Sequence, residues 1–294
     1  MTLQVDVDVV ISLAKAAGVR ILEGFSRVKN IETKSSVADL VTQYDVGVED
    51  FLKSEILKQF PGHCFLAEES SNDDAVLTDK PTWIIDPIDG TTNFIHTFPV
   101  CCVSIAFANQ GTVIIGVVFN PVTEELWWAS RGDGAYLSIR GGPPERLCTS
   151  GRQKVGESII STGFCVGVFR TGLNIPEVVN LEKVVKQNFV YLANNSRDIR
   201  RIGSAACDLC YVAMGRTDAY FEFGVREWDI AAGLVILEES GGTVTSVNGS
   251  KLDLHARNFL AASTKSLATE LSEHLIDVDM LAVNAAVDRE RNCK

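Results

Sequence analysis

The sequence predicts a mixed α/β (α+β) fold on three observations. Apolar residues recur at helical spacing near the N-terminus, short apolar strands separated by glycine-rich turns fill the middle, and strands alternate with helices towards the C-terminus. Val9, Val10, Leu13, Ala16, Ala17, Ile21, Leu22 and Phe25 recur at three and four, the period of an amphipathic helix. A second helix is expected from about Asp45 to Phe60, stopping at Pro61-Gly62. Cys64-Phe65-Leu66-Ala67 reads as a short buried strand that breaks off at Glu68-Glu69-Ser70, and the run beginning at Trp83 reads as another, ending in Asp86-Pro87-Ile88-Asp89-Gly90. Val103–Phe107 and Val113–Phe119 flank the hairpin composition Asn109-Gln110-Gly111. Leu126–Trp128 and Ala135–Leu137 flank Arg131-Gly132-Asp133-Gly134 in the same manner, so a meander is predicted. Gly141-Gly142-Pro143-Pro144 is the clearest punctuation. It divides an N-terminal lobe, 1–142, from a C-terminal lobe, 143–276, with helices near 178–188, 204–214, 228–239 and 265–275. Residues 277–294, with Arg289-Glu290-Arg291, read as a polar tail.

Composition limits the function classes. With 46% apolar and 22% charged residues over 294 positions, the chain has ample material for a core. No apolar run approaches the roughly 18 residues that cross a bilayer, and Met1–Asp6 lacks a basic region followed by a hydrophobic stretch, so a cytoplasmic protein is expected. The net charge of −11 argues against nucleic acid or an anionic membrane as partner. Cys64, Cys101, Cys102, Cys165 and Cys207 lie inside apolar segments and are expected as reduced thiols. Cys207-Asp208-Leu209-Cys210 falls within a helical pattern and has no second pair to complete a zinc site.

The chemistry is carried by acids. Asp86 and Asp89 supply hard oxygen ligands suited to Mg²⁺, and Gly90, Thr91 and Thr92 can turn backbone N–H groups towards a phosphate if a helix starts there. Glu68 ends one strand, Glu222 precedes Trp228-Asp229, and Asp229 falls in the first turn of the apolar helical pattern Ile230–Ile236. A lone Asp-Gly is usually a solvated turn. Four or five acids gathered together would repel by several kcal/mol, which argues for a bound cation.

Five segments, in order, resemble the Mg²⁺-dependent, lithium-sensitive phosphatases typified by inositol monophosphatase: Lys34 through Asp45, Glu68-Glu69-Ser70, Trp83 through Phe94, Gly203-Ser204-Ala205-Ala206, and Glu222 with Trp228 through Gly233. The resemblance covers most of the chain. It implies a layered αβαβα sandwich of the sugar phosphatase type and hydrolysis of myo-inositol monophosphate to myo-inositol and phosphate by a metal-activated water. It further implies Mg²⁺ held first by Glu68, Asp86 and the Ile88 carbonyl, and second by Asp86, Asp89 and Asp229. Thr91, Asp45 and Glu68 would position and activate the water. Substrate contacts would come from Glu68, Ile88, Asp89, Gly90, Thr91, Gly203, Ser204, the Ala205 amide, Glu222 and Asp229. A homodimer is implied as well, with the aromatic strand around Trp127-Trp128 available to an interface.

Alternatives stay open in the sequence. Thr91, Asp45 and Ser204 each also read as helix caps, Glu222 as a surface acid, His96 as a packing group and Lys34 as a solvated lysine. The stretch Thr162–Val168 and Arg226 leave the preferred polyol undecided. Fructose bisphosphate, a nucleotide 3′-phosphate and histidinol phosphate are the competing substrates, and a non-catalytic metal-binding scaffold is the competing class.

Overall fold

The computed structural model describes residues 5–25, 31–33, 40–72 and 75–292, with backbone alone at 31–33, 40–42 and 292. Residues 34–39, the first half of the Lys34–Asp45 segment, lie outside the described residues. The chain begins with α1 (Val7–Phe25), the short pair β1 (Ile31–Thr33) and β2 (Leu40–Thr42), and α2 (Gln43–Gln59). Next come β3 (Cys64–Ala67), β4 (Thr82–Asp89) and the single turn α3 (Thr91–Ile95). A meander follows: β5 (Cys102–Asn109), β6 (Thr112–Asn120), β7 (Glu125–Ser130), β8 (Gly134–Ile139) and β9 (Glu145–Arg146). Strands β3 to β9 form one seven-stranded sheet in sequence order, antiparallel throughout except that β3 and β4 run parallel.

The second half supplies β10 (Ile159–Thr162), α4 (Val166–Phe169), α5 (Pro176–Asn195), β11 (Asp198–Arg200), α6 (Ala205–Ala213), β12 (Ala219–Phe223) and α7 (Glu227–Glu239). It ends with β13 (Thr243–Thr245), β14 (Asn258–Ala262), α8 (Lys265–His274) and α9 (Met280–Asn292). Its sheet has the order β11-β10-β12-β14-β13, with β10 parallel to both neighbours and β14 antiparallel to both of its own.

Strand periodicity sorts the cores into layers. Trp83 and Ile85 of β4 pack with α1 and α2, whereas Ile84 between them packs with α6 and α7. In the second sheet Tyr220, Phe259 and Ala261 also face α6 and α7, while Ala219, Phe221, Leu260 and Ala262 face α5, α8 and α9. The result is an αβαβα sandwich whose middle layer is α6 with α7. Covered on both sides, α7 is apolar almost all round its circumference, from Ile230 through Leu237. This explains why its sequence lacks a polar stripe.

The segment after Asp277 corrects one expectation. It is not a polar tail over 280–292: α9 buries Met280, Val283, Ala286 and Val287, and all but Ala286 join the core under the second sheet. Those positions recur at three and four, a stripe masked in the sequence by the acids and arginines between them. Met280→Ala is expected to cost about 2–5 kcal/mol in chemical denaturation. A solvated tail would cost nothing.

Candidate active site

Backbone geometry explains how two acids three positions apart come to share a face. Residues three apart on a regular strand point to opposite sides. Between β4 and β5, however, Asp86 pairs with Ser104 and Asp89 with Cys102, so β4 has one extra residue and a bulge. Pro87 sits in that irregularity, the place where a central strand tolerates a residue lacking an N–H. Gly90 then turns the chain with φ 86° and caps α3. A side chain there would meet the Val100 carbonyl at 3.0 Å, so both conformation and space call for glycine.

Other elements bring further acids to this end of the sheet. Because β3 runs parallel to β4, with Ala67 opposite Ile85, both strands end together. Glu68 donates its N–H to the Ile85 carbonyl at 3.1 Å, which sets it beside Asp86. Asp229, in the first turn of α7, accepts from the Arg226 N–H at 2.6 Å, and the Ser104 hydroxyl ties β5 to the Trp228 carbonyl at 3.3 Å. Carboxylate oxygens of Asp86, Asp89 and Asp229 lie within 4.8 Å of one another. From α2, Asp45 reaches the same place: the Thr91 hydroxyl lies 3.4 Å from Asp45 Oδ1 and 3.1 Å from the Ile88 carbonyl. One turn later Glu49 is buried and accepts the Glu69 N–H at 2.8 Å, so the same helix pins the turn that carries Glu68.

Electrostatics make this cluster costly as it stands. Burial pushes the Asp86 carboxyl well above the ordinary carboxylate range, and Glu68, Asp89, Asp229 and Asp45 each push it further. Burial, with Asp89 next, raises Asp229 to about 7. Asp89 is raised by burial but held back by donors: the Ser204 hydroxyl at 2.5 Å, the Ala206 N–H at 2.8 Å and the Ala205 N–H at 3.2 Å. Asp86 Oδ1 is buried and has no hydrogen-bond partner. A buried orphan oxygen among like charges is a destabilised arrangement. A set of hard carboxylate oxygens fits a divalent cation such as Mg²⁺.

The remaining positions fall around this centre. Ser204 both caps α6, accepting from the Cys207 N–H at 3.4 Å, and donates to Asp89, so its two readings coexist. The Ala205 amide is turned towards Asp89, and Gly203 adopts φ 87° just before. Glu222, partly buried on β12, accepts from the Tyr220 hydroxyl at 2.5 Å. Burial raises its pKa, opposed by that bond and by Arg201, while Asp89 raises it further. His96 is exposed at the end of α3, and Lys34 is outside the described residues. Cys207 and Cys210 are buried free thiols of α6. Trp127 is fully buried against α6, and Trp128 packs on the α1 face, stacked on Tyr136 at 5.8 Å.

Sequence reasoning missed several contributors. Asn93 donates to the Val100 and Ile202 carbonyls at 2.7 and 3.0 Å, stapling the turn after β4 to the turn before α6 across more than a hundred residues. Glu49, Tyr220 and Arg201 were also unread. Glu49 could have been suspected as an acid on a helical face shared with Leu52 and Ile56; Asn93, Tyr220 and Arg201 carry no local signal.

The inositol monophosphatase family model matches residues 3–279. The chain is 39% identical over 268 residues to inositol monophosphatase 2 of Homo sapiens, covering 90% of this chain and 88% of that protein. It is 37% identical over 271 residues to human inositol monophosphatase 1, covering 91% and 93%. Among solved structures, the native extragenic suppressor protein suhB from Bartonella henselae superposes with a TM-score of 0.78 at 32% identity, covering 91% of this chain and 97% of that one.

Proposed function

The chain belongs to the inositol monophosphatase family, a family of phosphomonoester hydrolases, and from that premise we propose that it hydrolyses myo-inositol monophosphate to myo-inositol and phosphate with Mg²⁺. The observation that carries the reading is the group of buried Asp86 and Asp89 and partly buried Asp229, with Asp86 Oδ1 unpartnered and Glu68 and Asp45 bearing on it. Glu68, Asp86 and the Ile88 carbonyl would hold one ion, and Asp86, Asp89 and Asp229 a second. Such ions supply a water acidic enough to attack near neutral pH and offset charge on the phosphate and the departing oxygen.

The protein's own groups do the rest. Thr91, set between Asp45 and the Ile88 carbonyl, orients the attacking water and passes its proton towards Asp45, with Glu68 as the second acceptor. The amides of Gly90 and Thr91, at the start of α3, face the phosphate. Glu222, Asp89 and the turn Gly203-Ser204-Ala205 receive the polyol hydroxyls. No histidine or cysteine nucleophile is needed. Among the described residues no helix is long and apolar enough to cross a membrane. A cytoplasmic homodimer sensitive to lithium is the finer reading that goes with the family.

Both curated relatives described above are inositol monophosphatases, which favours this substrate over fructose bisphosphate, a nucleotide 3′-phosphate or histidinol phosphate. Phosphate release from a panel of these esters, with Mg²⁺ and with EDTA, tests the reading. Inositol 1-phosphate is expected to lead in kcat/KM by about tenfold or more, since a site built to bond a ring of hydroxyls discriminates against esters that present fewer of them or place them differently. Release that persists in EDTA, or a different leading ester, would overturn it.

A further inference from the structure

Glu222 is held from two sides, by the hydroxyl of Tyr220 and by the backbone at Gly163. Tyr220 lies two residues earlier on β12, so both side chains project from the same face of the strand. Its ring is fully buried and meets Phe259 edge-on at 5.1 Å, which fixes where the hydroxyl points. That hydroxyl donates to Glu222 Oε2 at 2.5 Å, the short distance of a hydroxyl bonded to a carboxylate. On the other side, a Cβ on Gly163 would lie 1.7 Å from Glu222 Oε1. Gly163 is not in the left-handed region. Glycine there leaves room for the carboxylate, which a Cβ would displace, and backbone freedom is not the reason for it.

We propose that Tyr220 is a positioning residue for polyol recognition, fixing the Glu222 carboxylate against the bare backbone of Gly163 so that its remaining lone pairs meet a substrate hydroxyl. The inference rests on the hydrolysis of an inositol phosphate proposed above. A carboxylate offers about four acceptor positions, and Tyr220 occupies one of them. Without the tyrosine hydroxyl, Glu222 regains rotamer freedom and the hydroxyl contact must order it on binding. The cost falls on binding of the polyol and leaves attack on phosphorus untouched, because the Tyr220 hydroxyl donates to Glu222 and not to an acid of the cluster.

Steady-state kinetics on two esters test this: inositol 1-phosphate, whose leaving group is rich in hydroxyls, and p-nitrophenyl phosphate, whose leaving group has none. Wild-type turnover of inositol 1-phosphate is measured first, and its absence overturns both the substrate reading and the inference. Given that turnover, Tyr220→Phe is expected to raise KM for inositol 1-phosphate about tenfold with kcat little changed. Its kcat/KM for p-nitrophenyl phosphate should stay within about twofold, a small fraction of that change. Gly163→Ala should show the same selective loss, and it reports on the inference even if Tyr220→Phe folds poorly. The double variant Tyr220→Phe/Glu222→Gln should be no worse than Glu222→Gln. Equal losses on both esters, or losses by Tyr220→Phe and Glu222→Gln that multiply, would overturn the inference while leaving the substrate reading intact.

Discussion

Asp86→Asn is expected to lower kcat/KM for inositol 1-phosphate by on the order of 10³-fold or more, and at the same time to raise the melting temperature of the metal-free protein by several degrees. The two effects have one cause. Asp86 is the acid whose charge is opposed by burial and by each of Glu68, Asp89, Asp229 and Asp45. In the proposed mechanism it is also the carboxylate common to both ions, so its loss removes a ligand that no neighbour replaces. Without metal, the same carboxylate is a liability: it is buried, surrounded by like charge, and leaves Oδ1 without a partner. An amide of nearly the same shape carries no charge, so the repulsion disappears and the fold gains. The stabilisation that Mg²⁺ gives the wild type by binding only the folded state should largely vanish in the variant. Thermal scans with EDTA and with Mg²⁺, alongside phosphate release, check all of it. A variant that keeps wild-type turnover, or that is less stable than wild type in EDTA, would remove Asp86 from the role given to it.

What the sequence discloses about such a site depends on how local each device is. The Asp86–Asp89 turn is legible because everything it needs is contiguous: a proline for the bulge, a glycine for the left-handed turn, and the two acids. Strand β3 was equally readable, and parallel pairing converted two strand ends into one acidic edge. By contrast, Asn93 acts on carbonyls at Val100 and Ile202, and Tyr220 on a strand neighbour whose job depends on a glycine nearly sixty residues earlier. Nothing in local composition encodes those meetings. Helix α9 was missed for another reason: its apolar stripe is narrow, and the charged residues between its members dominate the composition of the segment. The middle layer was read in part, since the pattern 228–239 gave a buried helix but could not say that two sheets enclose it.

The pH dependence of stability should reverse sign with metal. In the metal-free protein, burial and neighbouring acids place the folded-state pKa values of Asp86, Asp89 and Asp229 above the ordinary 3.8, Asp229 at about 7. Between those limits the folded protein holds protons that the unfolded chain has released, so unfolding releases protons and is favoured as pH rises. The stability tied to these groups is therefore fully present below the unfolded value of 3.8 and is lost as pH rises through about 7. Metal-free protein should accordingly lose on the order of a few kcal/mol between pH 5 and 7.5. Divalent cation competes with protons for the same oxygens, so its stabilising effect should be smallest near pH 5 and largest above 7. Melting curves across that range, with EDTA and with saturating Mg²⁺, should therefore diverge as pH rises, the EDTA series falling relative to the Mg²⁺ series. If the EDTA series instead climbed from pH 5 to 7.5 in parallel with the Mg²⁺ series, the acids would have to be paired with cationic side chains. The repulsion that makes this cluster a cation site would then not exist.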